Sequence, residues 1–165
     1  MKKLLMPQPM IYIVDKNENY SKVVESCLKA LNYKKIRVFE DGESCYSLVG
    51  SPADIIITEF NLGAKNWNGL EFLSEYKRLS PETKFIFMSS STRVEIAVDA
   101  IKAGATDYIL KSKEGLARMV KQVEHVRRVL RQKQKANRQW FFLLFMIFFV
   151  SAVSIVLSIA YRHQV

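Results

Sequence analysis

Short apolar runs alternate with amphipathic stretches of helical period along the first 110 residues. Met10-Ile11-Tyr12-Ile13-Val14 ends on Asp15, and Ile55-Ile56-Ile57-Thr58 ends on Glu59. Lys84-Phe85-Ile86-Phe87-Met88 ends on Ser89, and Asp107-Tyr108-Ile109-Leu110 ends on Lys111. Runs this short, rich in β-branched and aromatic residues, read as strands buried on both faces. Ile36-Arg37-Val38-Phe39 makes a fifth, weaker strand. Between them, Tyr20 to Leu31 carries apolar residues at 20, 23, 24, 27, 28 and 31, the spacing of one helix face. Ser44 to Val49, Leu70 to Leu79 and Val94 to Lys102 repeat that pattern over shorter lengths, the last closed by Gly104.

Strands alternating with helices predict βαβ crossovers, hence an α/β fold with a parallel sheet covered on both faces. In such a sheet the site lies outside the carboxyl ends of the strands, where Asp15, Glu59, Ser89 and Lys111 fall. From Glu114 a further helix is expected, with an apolar stripe of Leu116, Met119, Val123, Val126 and Leu130. Its first half should pack on the sheet. Beyond about Arg127 it should become a basic linker, residues 130–139.

Charge sharpens this division. The net charge is +9, yet residues 1–110 hold 14 Lys/Arg against 14 Asp/Glu, whereas residues 111–165 hold 11 against 2. The basic residues gather before the run Trp140 to Tyr161, 22 residues without a charge, Gly or Pro. At about 1.5 Å per residue the run reaches about 33 Å, against a hydrocarbon core of about 30 Å, so residues 140–161 are expected to form a transmembrane helix. Arg127, Arg128, Arg131, Lys133, Lys135 and Arg138 precede it. The positive-inside rule then places the front domain in the cytoplasm, on a single-pass tail anchor in the cytoplasmic membrane. Nucleic acid is not expected as a partner, because no aromatic residue interleaves these charges and the front domain is neutral. Met1 to Met10 has too short an apolar stretch for a signal peptide. Cys27 and Cys45, in a reducing compartment, read as small buried hydrophobes.

Two carboxylates, a hydroxyl and an ammonium at one rim suit phosphoryl chemistry or a small anion: carboxylates hold Mg²⁺, and the lysine neutralises phosphate as a point charge. With Ile-Val-Asp at 13–15, Asp-Ile-Ile-Ile-Thr-Glu at 54–59, Asn-Gly-Leu-Glu at 68–71, Ala-Gly-Ala-Thr-Asp-Tyr at 103–108 and Lys111, the chain resembles the receiver domain of two-component response regulators, over roughly residues 9–129. The resemblance implies a flavodoxin-like, doubly wound, five-stranded sheet of order 2-1-3-4-5. It also implies phosphorylation of an aspartate after the third strand by a histidine kinase with Mg²⁺, and a Ser/Thr and an aromatic residue that switch in response. Ser89 and Tyr108 stand at the switch positions, and Lys111 at that of the phosphate-contacting lysine.

The chain departs from this pattern at the reacting position. Glu59 stands where the family has its phospho-accepting Asp, and the extra methylene moves the carboxylate by about 1.5 Å, which a reaction that depends on positioning tolerates poorly. The acidic pair after the first strand reads Asp15-Lys16, which leaves only Asp15 and Glu59 for Mg²⁺ and weakens its attraction. Lys16 or Lys111 could pair with Glu59, and Asp15 could instead cap the next helix. Ser112 replaces the proline that commonly follows the lysine in a cis peptide.

The expectation is therefore an atypical receiver, not an enzyme, that acts through a signalling partner such as a histidine kinase or a membrane complex. It needs no cofactor, with Mg²⁺ binding at most weakened, and is either held active-like by Glu59 or a fixed scaffold. The alternative is a phosphorelay receiver that still binds Mg²⁺. The 3,4 stripe beyond Glu114 and Ser154-xxx-Ser158 permit a homodimer.

Overall fold

The structure, a computed structural model, describes residues 8–48, 51–63 and 67–162, with the backbone alone over 152–162 and at 134 and 137. Five strands and five helices alternate in the order β1 (Ile11–Val14), α1 (Glu18–Ala30), β2 (Ile36–Phe39), α2 (Gly42–Tyr46), β3 (Ile55–Thr58), α3 (Gly69–Leu79), β4 (Lys84–Ser89), α4 (Val94–Lys102), β5 (Asp107–Leu110) and α5 (Lys113–Arg162). All the strand pairs are parallel, in the order β2-β1-β3-β4-β5. The expected order and the α/β architecture both stand. The chain divides into two units, residues 1–127 and 128–165, so that α5 belongs to the first up to Arg127 and to the second from Arg128.

The apolar runs became strands because both faces of the sheet are covered. Every residue of β1 and β3 is buried, and so is β4 from Phe85 to Ser89. One layer of core gathers Tyr12, Val14, Ile56, Phe85 and Phe87 against Phe72, Leu73 and Tyr76 of α3. The rings of Phe72, Tyr76 and Phe85 meet edge to face, with centroids 5.5–5.7 Å apart. The stripe expected on the last helix holds where it faces the sheet: Met119, Val123 and Val126 are all buried. Cys45 is buried too, which pushes its thiol up to about 12, whereas Cys27 is half-buried.

Local caps fix where the helices begin. Asn68 accepts from the backbone N–H groups of Leu70 and Glu71, and Glu71 accepts from that of Asn68 in return, a capping box that starts α3. For α1 the cap is Asn17, whose side chain accepts from the Tyr20 N–H. Asp15 does not cap this helix, contrary to one reading of the sequence. Its carboxylate takes the N–H of Asn17 itself.

The membrane span expected over 140–161 is not borne out, and the single-pass placement in a cytoplasmic membrane falls with it. Among the described residues no helix is long and apolar enough to cross a membrane. Described side chains of the run end at Ser151, and Trp140 to Ser151 make about 18 Å of helix, against about 30 Å of hydrocarbon. The turns before Trp140 carry Arg128, Arg131, Lys133, Lys135 and Arg138. The side chains of 152–161, including Ser154 and Ser158, lie outside the described residues. Residues 130–139 are continuous helix, and their juxtamembrane role rested on the span.

Candidate functional site

The register of the sheet brings four strand ends together. Val14 pairs with Thr58 and Thr58 with Phe87, so Asp15 and Glu59 leave neighbouring strands at the same level. The Glu59 N–H donates to Val14 O at 2.9 Å, and the Lys111 N–H donates to Ser89 O at 2.8 Å. Asp15, Glu59, Ser89 and Lys111 thus stand at one rim, as the sequence places them.

Lys111 occupies the centre. Its ammonium reaches Asp15 Oδ2 at 2.7 Å and Glu59 Oε2 at 2.6 Å. Side-chain exposure is 14% for the lysine and 5% for each carboxylate, so these are buried pairs rather than surface ones. Burial works against the lysine's charge, but hydrogen bonds to Asp15 and Glu59, together with their negative charges, outweigh it and raise Lys111 above the ordinary lysine value. The other oxygen of each carboxylate is also bonded. Asp15 Oδ1 accepts from the Asn17 N–H at 2.9 Å. Glu59 Oε1 accepts from the N–H groups of Phe60 at 2.7 Å and Asn61 at 3.3 Å.

Lys16 does not pair with Glu59. It is exposed and donates to Asn61 Oδ1 at 3.3 Å. It follows a strand whose side chains alternate between faces, and this carries it away from the rim that Asp15 enters. Of the two lysines the sequence offered to Glu59, Lys111 is the partner.

The hydrogen bonds of Ser89 and Tyr108 both run to one loop residue, Ser91. Ser89 Oγ, buried, accepts from the Ser91 N–H at 3.2 Å. The half-buried Tyr108 stacks on Phe87 and donates its hydroxyl to Ser91 O at 3.0 Å. Both are tied to the segment between β4 and α4. No cis peptide bond occurs among the described residues, the Lys111-Ser112 bond included.

Tyr20 is the rim residue that sequence reading missed. It counted only as the first apolar position of a helix, yet the Lys111 ammonium lies 4.5 Å from its ring centroid. Burial, and then the charges of Asp15 and Glu59, push the Tyr20 phenol up to about 12. Its place on the first turn after Asp15, level with the rim, was the available signal.

For Mg²⁺ the rim offers two carboxylates, Asp15 and Glu59, both already paired with Lys111. That ion asks for near-octahedral oxygen coordination at about 2.0–2.1 Å, and here one inward oxygen of each carboxylate is held by an ammonium. No group of three His, Cys, Asp or Glu among the described residues could hold a metal. What the arrangement does provide is a closed set of ion pairs at the carboxyl edge of a doubly wound sheet, the place and residue types of a receiver-type site.

Comparison with known proteins supplies the family. The response regulator receiver domain model matches residues 11–124, and the chain belongs to that family. The transcriptional regulatory protein ZraR of Salmonella typhimurium is 25% identical over 101 residues, 61% of this chain and 22% of that protein. The alginate biosynthesis transcriptional regulatory protein AlgB of Pseudomonas syringae is 26% identical over 104 residues, 63% of this chain and 23% of that protein. The chain thus spans about a fifth of the length of the curated relatives it matches. Among solved structures, the receiver domain of NtrX from Brucella abortus matches with a TM-score of 0.61 at 25% identity, covering 68% of this chain and 96% of that one. A CheY-like receiver domain protein from Methanospirillum hungatei gives a TM-score of 0.66 at 19% identity, covering 78% and 99%.

Proposed function

We propose that this receiver domain serves two-component signalling as an interaction module that works without phosphorylation, binds no Mg²⁺ and has no enzymatic activity of its own. The observation that carries the reading is the state of Glu59. One carboxylate oxygen takes the Lys111 ammonium and the other takes the N–H groups of Phe60 and Asn61. Those are the cationic and backbone donors a phosphoryl group at this strand end would need, and the side chain in the acceptor position already uses them. Ser89 and Tyr108 are bonded to Ser91, which favours a fixed scaffold over a rim held active-like by Glu59.

The docking face is proposed to lie on α4 and β5. Val94, Val98 and Ile101 follow one another at helical spacing with 69%, 43% and 49% exposure, and Leu110 of β5 is 44% exposed. Its occupant is proposed to be a signalling protein such as a kinase, because receiver domains act through such partners.

The test treats the full chain with acetyl phosphate and Mg²⁺ and reads intact mass, with Glu59→Asp alongside. No phosphoryl adduct on the unaltered chain is expected. An adduct on Glu59 would replace this reading with that of a phosphorelay receiver, as would a Mg²⁺ titration that moves the amide resonances of Phe60 and Asn61 at millimolar metal.

A further inference from the structure

We infer that Tyr20 is a positioning residue that roofs the rim, its ring holding the Lys111 ammonium down onto Asp15 and Glu59 and keeping solvent solutes away from it. The two carboxylates meet the ammonium at 2.7 and 2.6 Å. The Tyr20 ring lies against the same ammonium, 4.5 Å from ammonium to centroid, within the range where the negative face of an aromatic ring attracts a cation. The Tyr20 hydroxyl is buried and has no hydrogen-bond partner. The contact with Lys111 is made by the ring, so it is the ring whose removal the inference tests. The local chain explains how it gets there. Asn17 starts α1 by accepting from the Tyr20 N–H at 3.1 Å, and Asp15 fixes Asn17 through its N–H at 2.9 Å. The carboxylate that pairs with Lys111 therefore also sets the turn that lays Tyr20 over Lys111.

The inference deepens the reading of a closed rim: access is blocked by a ring as well as by the length of Glu59. It can be tested without phosphate or metal. The full chain is treated with an amine-acylating reagent, and labelling rates are read lysine by lysine by mass spectrometry. Lys22 and Lys29, 65% and 60% exposed, serve as internal references.

In the unaltered chain Lys111 should label far more slowly than either reference. Tyr20→Ala should speed Lys111 by roughly tenfold, the order of factor that loss of a half-buried cation–π contact brings, with Lys22 and Lys29 unchanged. Tyr20→Phe should keep the slow rate, because it keeps the ring. A wild-type rate in Tyr20→Ala would overturn the inference, and so would a Tyr20→Phe rate as fast as that of Tyr20→Ala. Should all three lysines speed up together in Tyr20→Ala, the domain has loosened. Tyr20→Leu, with apolar bulk but no π face, then decides: selective speeding of Lys111 supports the roof and a wild-type rate overturns it. Phosphorylation of Glu59, which would defeat the proposed function, leaves this readout standing.

Discussion

Removing the Lys111 ammonium should cost this domain more stability than any other single charge change at the rim. Asp15 Oδ2 and Glu59 Oε2 both touch it, at 2.7 and 2.6 Å, so the two oxygens stand no more than roughly 5 Å apart. In Lys111→Met the aliphatic stem survives and the charge goes. Two buried carboxylates then face each other, and at an effective dielectric constant of about 20 their repulsion over about 5 Å is about 3 kcal/mol. That agrees with the roughly 3–5 kcal/mol lost when one partner of a buried ion pair is deleted. Lys16→Met is the control: its ammonium is exposed and donates to Asn61 Oδ1 at 3.3 Å, so the change should stay within about 0.5 kcal/mol.

Urea unfolding at pH 7 measures these differences. The signal is Trp67 fluorescence in a Trp140→Phe background, since Trp67 packs against Tyr46 with centroids 5.1 Å apart and Trp140 is exposed. Adding Glu59→Gln to Lys111→Met removes one of the facing charges and keeps an oxygen for the N–H groups of Phe60 and Asn61. The double variant should therefore be more stable than the sum of the single effects by at least about 1 kcal/mol. A cost below about 1 kcal/mol for Lys111→Met, or strict additivity in the double variant, would refute the electrostatic account of the rim.

Alkaline pH should probe the same group. The unfolded lysine titrates at its ordinary 10.5 and the folded one higher. The stabilisation from holding that proton is thus whole below about pH 10.5 and is lost as pH rises through the folded value. Unfolding free energies measured across that range should show this decline, and Lys111→Met should lack it. The approach of α3 to the rim gives a further prediction. A Cβ on Gly69 would lie 2.7 Å from Phe87 Cε1 and 2.8 Å from Glu59 O. Gly69→Ala should therefore cost about 1–3 kcal/mol in urea unfolding and shift the amide resonances of Glu59 and Phe60; unchanged spectra would show that the two elements slide apart without strain.

Much of this was legible in the sequence because a strand buried on both faces must be apolar until it leaves the sheet. The first polar residue after each run marks the rim, and that rule alone located Asp15, Glu59 and Lys111, with Ser89 as the last residue of its strand. Which group answers which was not legible. Lys16 and Lys111 both stood near Glu59 in principle, and the choice depended on the direction each side chain takes on leaving its strand. One reading of Asp15, as the cap of α1, falls two residues early, because Asp15 and Asn17 are both good capping residues and only the chain's path shows that the first one turns inward. Tyr20 was hidden by its own regularity. At helical spacing with Val24 and Leu28 it reads as core, but the first turn of α1 stands level with the strand ends, so the same face that packs lower down covers the rim here.

The pairing at the rim also bears on why a glutamate suits this fold. A carboxylate one methylene longer than aspartate reaches back to the N–H groups of Phe60 and Asn61 while its other oxygen still meets Lys111. Asp15 and Lys16, consecutive in the chain, part company: the acid turns in to Lys111 and the base turns out to Asn61. Two acids and two bases then balance at the rim, and Lys111 takes a counter-ion from each strand end. At this rim the ionic partners come from the chain itself. Among the described residues of the rim, the Tyr20 hydroxyl is left without a hydrogen bond. An added ligand would have to break pairs of 2.6 and 2.7 Å before it made any of its own, and this cost is one reason the docking face is proposed on α4 and β5 rather than at the rim.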